Sequence, residues 1–158
     1  MHDRIPVYIR RQVMNGRALT AWARELGLSG IIDPVDLHMT VLYCRTPVHP
    51  DHITPATDSF SVQLQNAKPF EIKGHLAIPL LDSKIFADHA RHLALGATHD
   101  YADGVFRPHV TVKYDVEEED IQFFVAREGF SGVIELGPEK VSPLEKGWRP
   151  APNGKPFS

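Results

Sequence analysis

The strongest constraint in this chain is a short pattern that occurs twice, Leu37-His38-Met39-Thr40-Val41 and Pro108-His109-Val110-Thr111-Val112. Successive side chains of a strand point to opposite faces, so His38 and Thr40 look one way while their apolar neighbours look the other, and His109 and Thr111 repeat the arrangement. Each copy predicts a strand with one buried side and an imidazole beside a hydroxyl on the other. Nine histidines and seven threonines in 158 residues would give only ~0.4 HxT triplets by chance against ordinary composition. The two histidines are 71 positions apart, too far for a hairpin but suited to equivalent strands of two lobes.

A chain of 158 residues with 42% apolar and 23% charged side chains reads as one globular domain over residues 1–158. No apolar run approaches the roughly 18 to 20 residues that span a bilayer, and Met1-His2-Asp3-Arg4 precedes a strand with no signal-peptide core, so a cytoplasmic protein without a membrane partner is expected. The single cysteine, Cys44, excludes an intramolecular disulfide and a cysteine-based zinc cage, and reads as a small buried residue. A net charge of −3 argues against a surface that coats long nucleic acid; an anionic ligand must be held locally. Nothing in the sequence calls for an obligate protein partner.

Ile5 to Arg11 reads as a strand with Tyr8 and Arg10 on one face and Val7 and Ile9 on the other. A helix follows from an Asn15 cap to about Leu26, stopped by Gly27. The first HxT strand covers Leu37 to Arg45 and ends at Thr46-Pro47. Val48 to Ser59 is a surface loop. Short strands are expected at Phe60–Leu64, Phe70–Ile72 and His75–Ile78, with Gly74 a bulge, then a helix from about Lys84 to Leu95 stopped by Gly96. The second HxT strand, a short helix near Ile121–Val125 behind the acidic Glu117–Asp120, and a closing strand within Gly132–Glu145 complete the order. Each half carries one helix and one HxT strand.

Side by side, the two HxT strands present two imidazoles and two hydroxyls, the groups a phosphodiester site needs. With an unperturbed pKa of about 6.5, one histidine can take a proton from the attacking oxygen while the other protonates the leaving oxygen. The threonine hydroxyls suit the non-bridging oxygens, where charge grows. No metal is needed in that scheme and no cofactor is expected. His89 and His92, three apart on a predicted helix, invite a metal site, but they lack a third ligand and match neither HxH nor HExxH, so a solvated helix face is the better reading. His49 and His52 sit in a polar loop and read as exposed. His99, in the loop before the second motif, fits a structural role at least as well as a functional one.

The pair of motifs resembles the 2H phosphoesterase superfamily, named for two HxT or HxS motifs in two lobes. The blocks Leu93-Ala94-Leu95-Gly96-Ala97-Thr98-His99-Asp100-Tyr101, Pro108-His109-Val110-Thr111 and Leu37 to Arg45 are more narrowly similar to the phage anti-CBASS phosphodiesterases, which cut the cyclic oligonucleotide messengers of a bacterial antiphage defence. The resemblance implies an α+β, two-lobed fold with concave antiparallel sheets and one main helix per lobe. It implies catalysis by His38 and His109, with Thr40 and Thr111 on the phosphate; which histidine is acid and which base stays open. It implies a cyclic di- or trinucleotide substrate cut at 3′–5′ bonds in the bacterial cytoplasm, and nucleobase contacts from Tyr8 and Trp148. The family's glutamate six positions before that tryptophan is replaced here by Ser142, which leaves base recognition to Glu139, Glu145 or to no residue there. Two rival readings share the pocket: an RNA 2′,3′-cyclic phosphodiesterase, and a sponge that binds a cyclic nucleotide without cutting it.

Overall fold

Strand, helix and HxT strand recur twice in the computed structural model, which describes residues 4–100 and 104–144. In the first unit β1 (Ile5–Val13) leads through α1 (Gly16–Glu25) to β2 (His38–Val48). In the second, the elements after β3 (Phe60–Ala67) and β4 (Phe70–Ile72) are β5 (His75–Pro79), α2 (Ser83–Ala94) and β6 (His109–Lys113). In both units the two strands joined through the helix lie side by side and antiparallel. A short α3 (Glu118–Val125) and the long β7 (Phe130–Pro143) close the described chain. All seven strands form one antiparallel sheet in the order β3-β7-β1-β2-β6-β5-β4.

This is the expected two-lobed α+β fold, built on a single continuous sheet in which the two HxT strands are central neighbours. They meet at the pair Met39↔Val110, and both of those residues are fully buried. Val7, Ile9 and Val13 of β1, Leu42 and Cys44 of β2, Leu19 and Ala23 of α1 and Ile85 of α2 belong to the same core. Burying each of the larger aliphatic side chains contributes about 1.5–3 kcal/mol. The alternation that hides Met39 and Val110 is what presents their HxT neighbours to the opposite side.

Four local expectations are corrected. Gly74 is not a bulge: with Lys73 (φ 51°) it forms, at φ 79°, the two-residue turn joining β4 to β5, and two successive positive φ values are the demand of a type I′ hairpin. β2 does not stop at Thr46-Pro47 but runs to Val48, because the proline falls where the β1 pairing is already irregular, between Ile5↔Val48 and Val7↔Cys44. Asn15 does hold the N-cap position of α1, but its side chain makes no capping hydrogen bond; it instead reaches β7, donating to the Val133 carbonyl at 2.7 Å and accepting from the Glu135 N–H at 2.9 Å. His89 and His92 do not face solvent: α2 packs that side inward, leaving them 7% and 0% exposed.

Candidate active site

Carrying the Met39↔Val110 register one residue either way sets Thr40 opposite His109 and His38 opposite Thr111. The four side chains thus share one face as a square with pseudo-twofold symmetry, imidazole against hydroxyl along both edges. Cross-strand neighbours of this kind lie about 4.5–5.5 Å apart at Cβ.

Both imidazoles are oriented by the same device. Nδ1 of His38 donates to the Asp36 carbonyl at 2.9 Å, and Nδ1 of His109 donates to the Arg107 carbonyl at 2.6 Å. A carbonyl can only accept, so each ring keeps its proton on Nδ1 when neutral and leaves Nε2 as the nitrogen for chemistry. Burial lowers the pKa of both below the ordinary value; the Asp36 and Arg107 carbonyls oppose the shift. Arg10 adds to the lowering at His38, and His38 and His75 add to it at His109.

A β-bulge sets the neighbouring face of the first lobe. β1 pairs Ile9 with Leu42 and Arg10 with Thr40, so Val41 is an extra residue. The insertion breaks the simple alternation of the HxT strand beyond Thr40, placing Tyr43 opposite Tyr8 on the face of Thr40. Tyr8 is buried there, its hydroxyl 2.8 Å from the Thr40 hydroxyl and its ring edge-on to His38 and Tyr43. The Val41 carbonyl at the bulge accepts from Nδ1 of His89 at 2.7 Å. A helix histidine therefore supports the strand one residue past Thr40, a role that sequence periodicity did not reveal.

Beside the square lies a cavity of about 310 Å³ bounded by Thr40 and His109, the β4–β5 hairpin residues Phe70, Glu71, Ile72 and Lys73, and His99, Val105, Phe106 and Arg107 from the segment before β6. Phe70 meets His109 edge-on at 5.9 Å. Phe106 stacks on His89 at 3.8 Å, and His99 packs edge-on against both. The loop carrying His99 is anchored by Asp100. Oδ2 of Asp100 accepts from the Arg45 and Thr46 N–H groups at 2.7 and 2.8 Å, and its carboxylate accepts from the Thr98 hydroxyl. Burial works to raise the Asp100 pKa, but those hydrogen bonds prevail and hold it below the usual carboxylate range.

The register of β7 on β1 sorts the remaining candidates. Ser142 pairs with Tyr8 and Lys140 with Arg10, on the face of the square, whereas Glu139 pairs with Arg11 on the opposite, core face. Glu139 is engaged there: Oε1 accepts from the Ala56 N–H at 2.7 Å and from His92 and Arg91 at 3.0 Å each. Burial opposes ionisation of Glu139, yet the His92 and Ala56 hydrogen bonds, with the charges of His92 and Arg91, bring its pKa below the usual value. The structure thus puts Glu139 with a structural cluster and apart from the square. Glu145 and Trp148 lie outside the described residues. His89 and His92 have separate partners, Val41 and Glu139, and among the described residues no group of three or more His, Cys, Asp or Glu is placed to hold a metal ion.

The fold has solved counterparts. Escherichia coli LigT in complex with 3′-AMP superposes with a TM-score of 0.54 at 12% identity, covering 91% of this chain and 97% of that one. A structure described as a phosphoesterase gives 0.53 at 11%, covering 90% and 96%. Among curated proteins, an Anti-CBASS protein Acb1 of Sphingomonas paeninsulae is 28% identical over 156 residues, and one of Vibrio phage KVP40 is 27% identical over 146. The chain spans about a quarter (24%) of the Sphingomonas protein, by 92% of its own length, and 88% of the phage protein, by 90%. Residues 5–151 match the family described as Anti-CBASS protein Acb1, which takes in both HxT strands and the loop before the second, and the chain belongs to that family.

Proposed function

We propose that the protein is a metal-independent phosphodiesterase that opens cyclic di- and trinucleotide messengers at a 3′–5′ bond, and that a phage uses it in the bacterial cytoplasm to evade CBASS immunity. The observation that carries this reading is the pair of Nδ1–H groups tied to backbone carbonyls, which leaves two Nε2 atoms beside two hydroxyls on one face. The ribose 2′-oxygen attacks the adjacent 3′ phosphorus, forming the 2′-O–P bond as the P–O5′ bond breaks. One imidazole, neutral at Nε2, takes the 2′ proton; the other, protonated at Nε2, gives its proton to the departing 5′ oxygen. Thr40 and Thr111 donate to the non-bridging oxygens, where their effect is greatest in the transition state. Water then opens the 2′,3′-cyclic phosphate with the two histidine roles exchanged. The aromatic-walled cavity beside His109 has the size and apolar lining of a nucleoside site. Tyr8 and Trp148 are the family's candidates for a second base.

Incubating the protein with 3′,3′-cyclic dinucleotides and a cyclic trinucleotide in excess chelator, with products read by mass, tests the proposal. Linear products carrying a 2′,3′-cyclic or terminal phosphate are expected, and a 2′-deoxy analogue should resist. Tight binding without turnover would establish the sponge instead. Cleavage limited to RNA 2′,3′-cyclic ends would establish the RNA enzyme.

A further inference from the structure

The face that carries the catalytic square continues past it onto β1 and β7. One row across the sheet reads Lys140, Arg10, Thr40, by the pairs Arg10↔Lys140 and Arg10↔Thr40, and the β2–β6 register extends it to His109. Two cations therefore lead into the site along one line, the first a single strand spacing of about 4.8 Å from Thr40 and the second at two spacings. Arg10 is half-buried, and among the described residues its guanidinium has no hydrogen bond and no ion pair. Among the described residues Lys140 reaches only the Gln12 side-chain oxygen, at 3.4 Å. Elsewhere in this net-acidic chain the cations that border the core have carboxylates: Arg11 has Asp88 and Asp58, Arg91 has Glu139, and Lys113 has Asp120. Arg10 is close enough to His38 to lower its pKa, which places its charge at the edge of the square.

We infer that Arg10 and Lys140 form a second phosphate subsite, which grips the phosphodiester one ribose away from the bond being cut and so selects cyclic oligonucleotides over single-phosphate substrates. A guanidinium can hold two non-bridging oxygens at once and a lysine adds a point charge. A cyclic dinucleotide carries its second phosphate on the same small ring as the first, so the two anions reach neighbouring positions on one sheet face. An isolated dinucleoside monophosphate has only the scissile phosphate and leaves the row empty. The inference rests on the proposed cleavage at the HxT square.

The test compares two substrates with identical chemistry, 3′,3′-cyclic di-AMP and the dinucleoside monophosphate ApA, in wild type, Arg10→Gln, Arg10→Lys and Lys140→Gln. Charge-assisted hydrogen bonds of this kind are worth about one to two powers of ten in affinity. The ratio of kcat/KM for the cyclic substrate over ApA should fall about 10- to 100-fold in Arg10→Gln and about 3- to 10-fold in Lys140→Gln. Most of the change should appear in KM, with partial recovery in Arg10→Lys. KM for the cyclic substrate should rise with ionic strength more steeply in wild type than in Arg10→Gln. Lys140 is exposed, so its variant reads the subsite even if Arg10→Gln folds poorly. An unchanged ratio in Arg10→Gln and Lys140→Gln would overturn the subsite while leaving cleavage intact. Wild type that cuts neither substrate would fail at the earlier step, the proposed function.

Discussion

Arg10 and Arg11 are adjacent in β1 and have opposite surroundings. Arg11 points to the core, is fully buried, and donates to the Asp58 and Gly137 carbonyls at 2.7 and 2.8 Å and to the Asp88 carboxylate at 3.0 Å. It ties β1 to β7, to α2 and to the segment before β3. Arg10 points to the face of the HxT square and has no carboxylate among the described residues. A buried charge without compensation is costly, so a charge that serves the fold arrives with its partners. A charge left open beside a pair of oriented imidazoles is in place for an anion from outside.

Removing the square and removing the core cluster should therefore have separable effects. His38→Ala and His109→Ala should each lower kcat by about 10²- to 10⁴-fold, the usual worth of a general acid or base, with near-native melting in scanning calorimetry. Full activity in either variant would sink the mechanism. Arg11→Met should do the reverse. Leaving Asp88 without its guanidinium is expected to cost about 3–5 kcal/mol of stability, read by urea titration. Turnover by the folded fraction, measured well below its melting temperature, should stay near wild type. A loss of kcat as large as that of the histidine variants would erase the distinction between the two faces.

A smaller effect is expected where the site touches its supporting loop. Asp100 accepts from two backbone N–H groups and two hydroxyls, so Asp100→Asn exchanges a carboxylate acceptor for an amide and should cost about 1–2 kcal/mol. Because Asp100 holds the loop bearing His99 at the cavity wall, KM should rise more than kcat falls. A variant as stable as wild type, with unchanged KM, would show that the loop is held by other contacts.

The two HxT strands, the helix between each pair of strands and the two-lobed order were legible because alternation and helical spacing are local signals. The position of β7 was not. Its residues read as a strand, but only the register with β1 and β3 shows that it lies inside the first lobe, with Lys140 and Ser142 toward the site and Glu139 away from it. The burial of His89 and His92 is hidden from the sequence for a related reason. Histidines at helical spacing look alike whether they meet water or a carbonyl, and the partner of His89 is the Val41 carbonyl at a bulge, while that of His92 is a carboxylate 47 residues away. The bulge itself left no mark in the sequence, and it is what turned Tyr43 toward Tyr8.

The smallest effects should appear in pH dependence, and there the two arginines can be told apart again. Burial lowers the pKa of His38 and His109, and also of His75 and His89. In the unfolded chain these groups titrate near their ordinary value of about 6.5. A histidine whose folded pKa is depressed contributes stability that is present above that value and is lost as pH falls through the folded one, because the unfolded chain then takes up the proton more readily. The melting temperature should accordingly decline as pH falls below about 6.5. The quantity kcat/KM reports the free enzyme and peaks midway between its acid and base pKa values. With both imidazoles depressed, that maximum should lie on the acid side of about 6.5. Arg10 is one cause of the depression at His38, so Arg10→Gln should move one limb of the profile upward, whereas Arg11→Met should leave both limbs in place. Equal displacement by the two substitutions would mean that β1 as a whole, rather than the charge it turns toward the square, sets the protonation of His38.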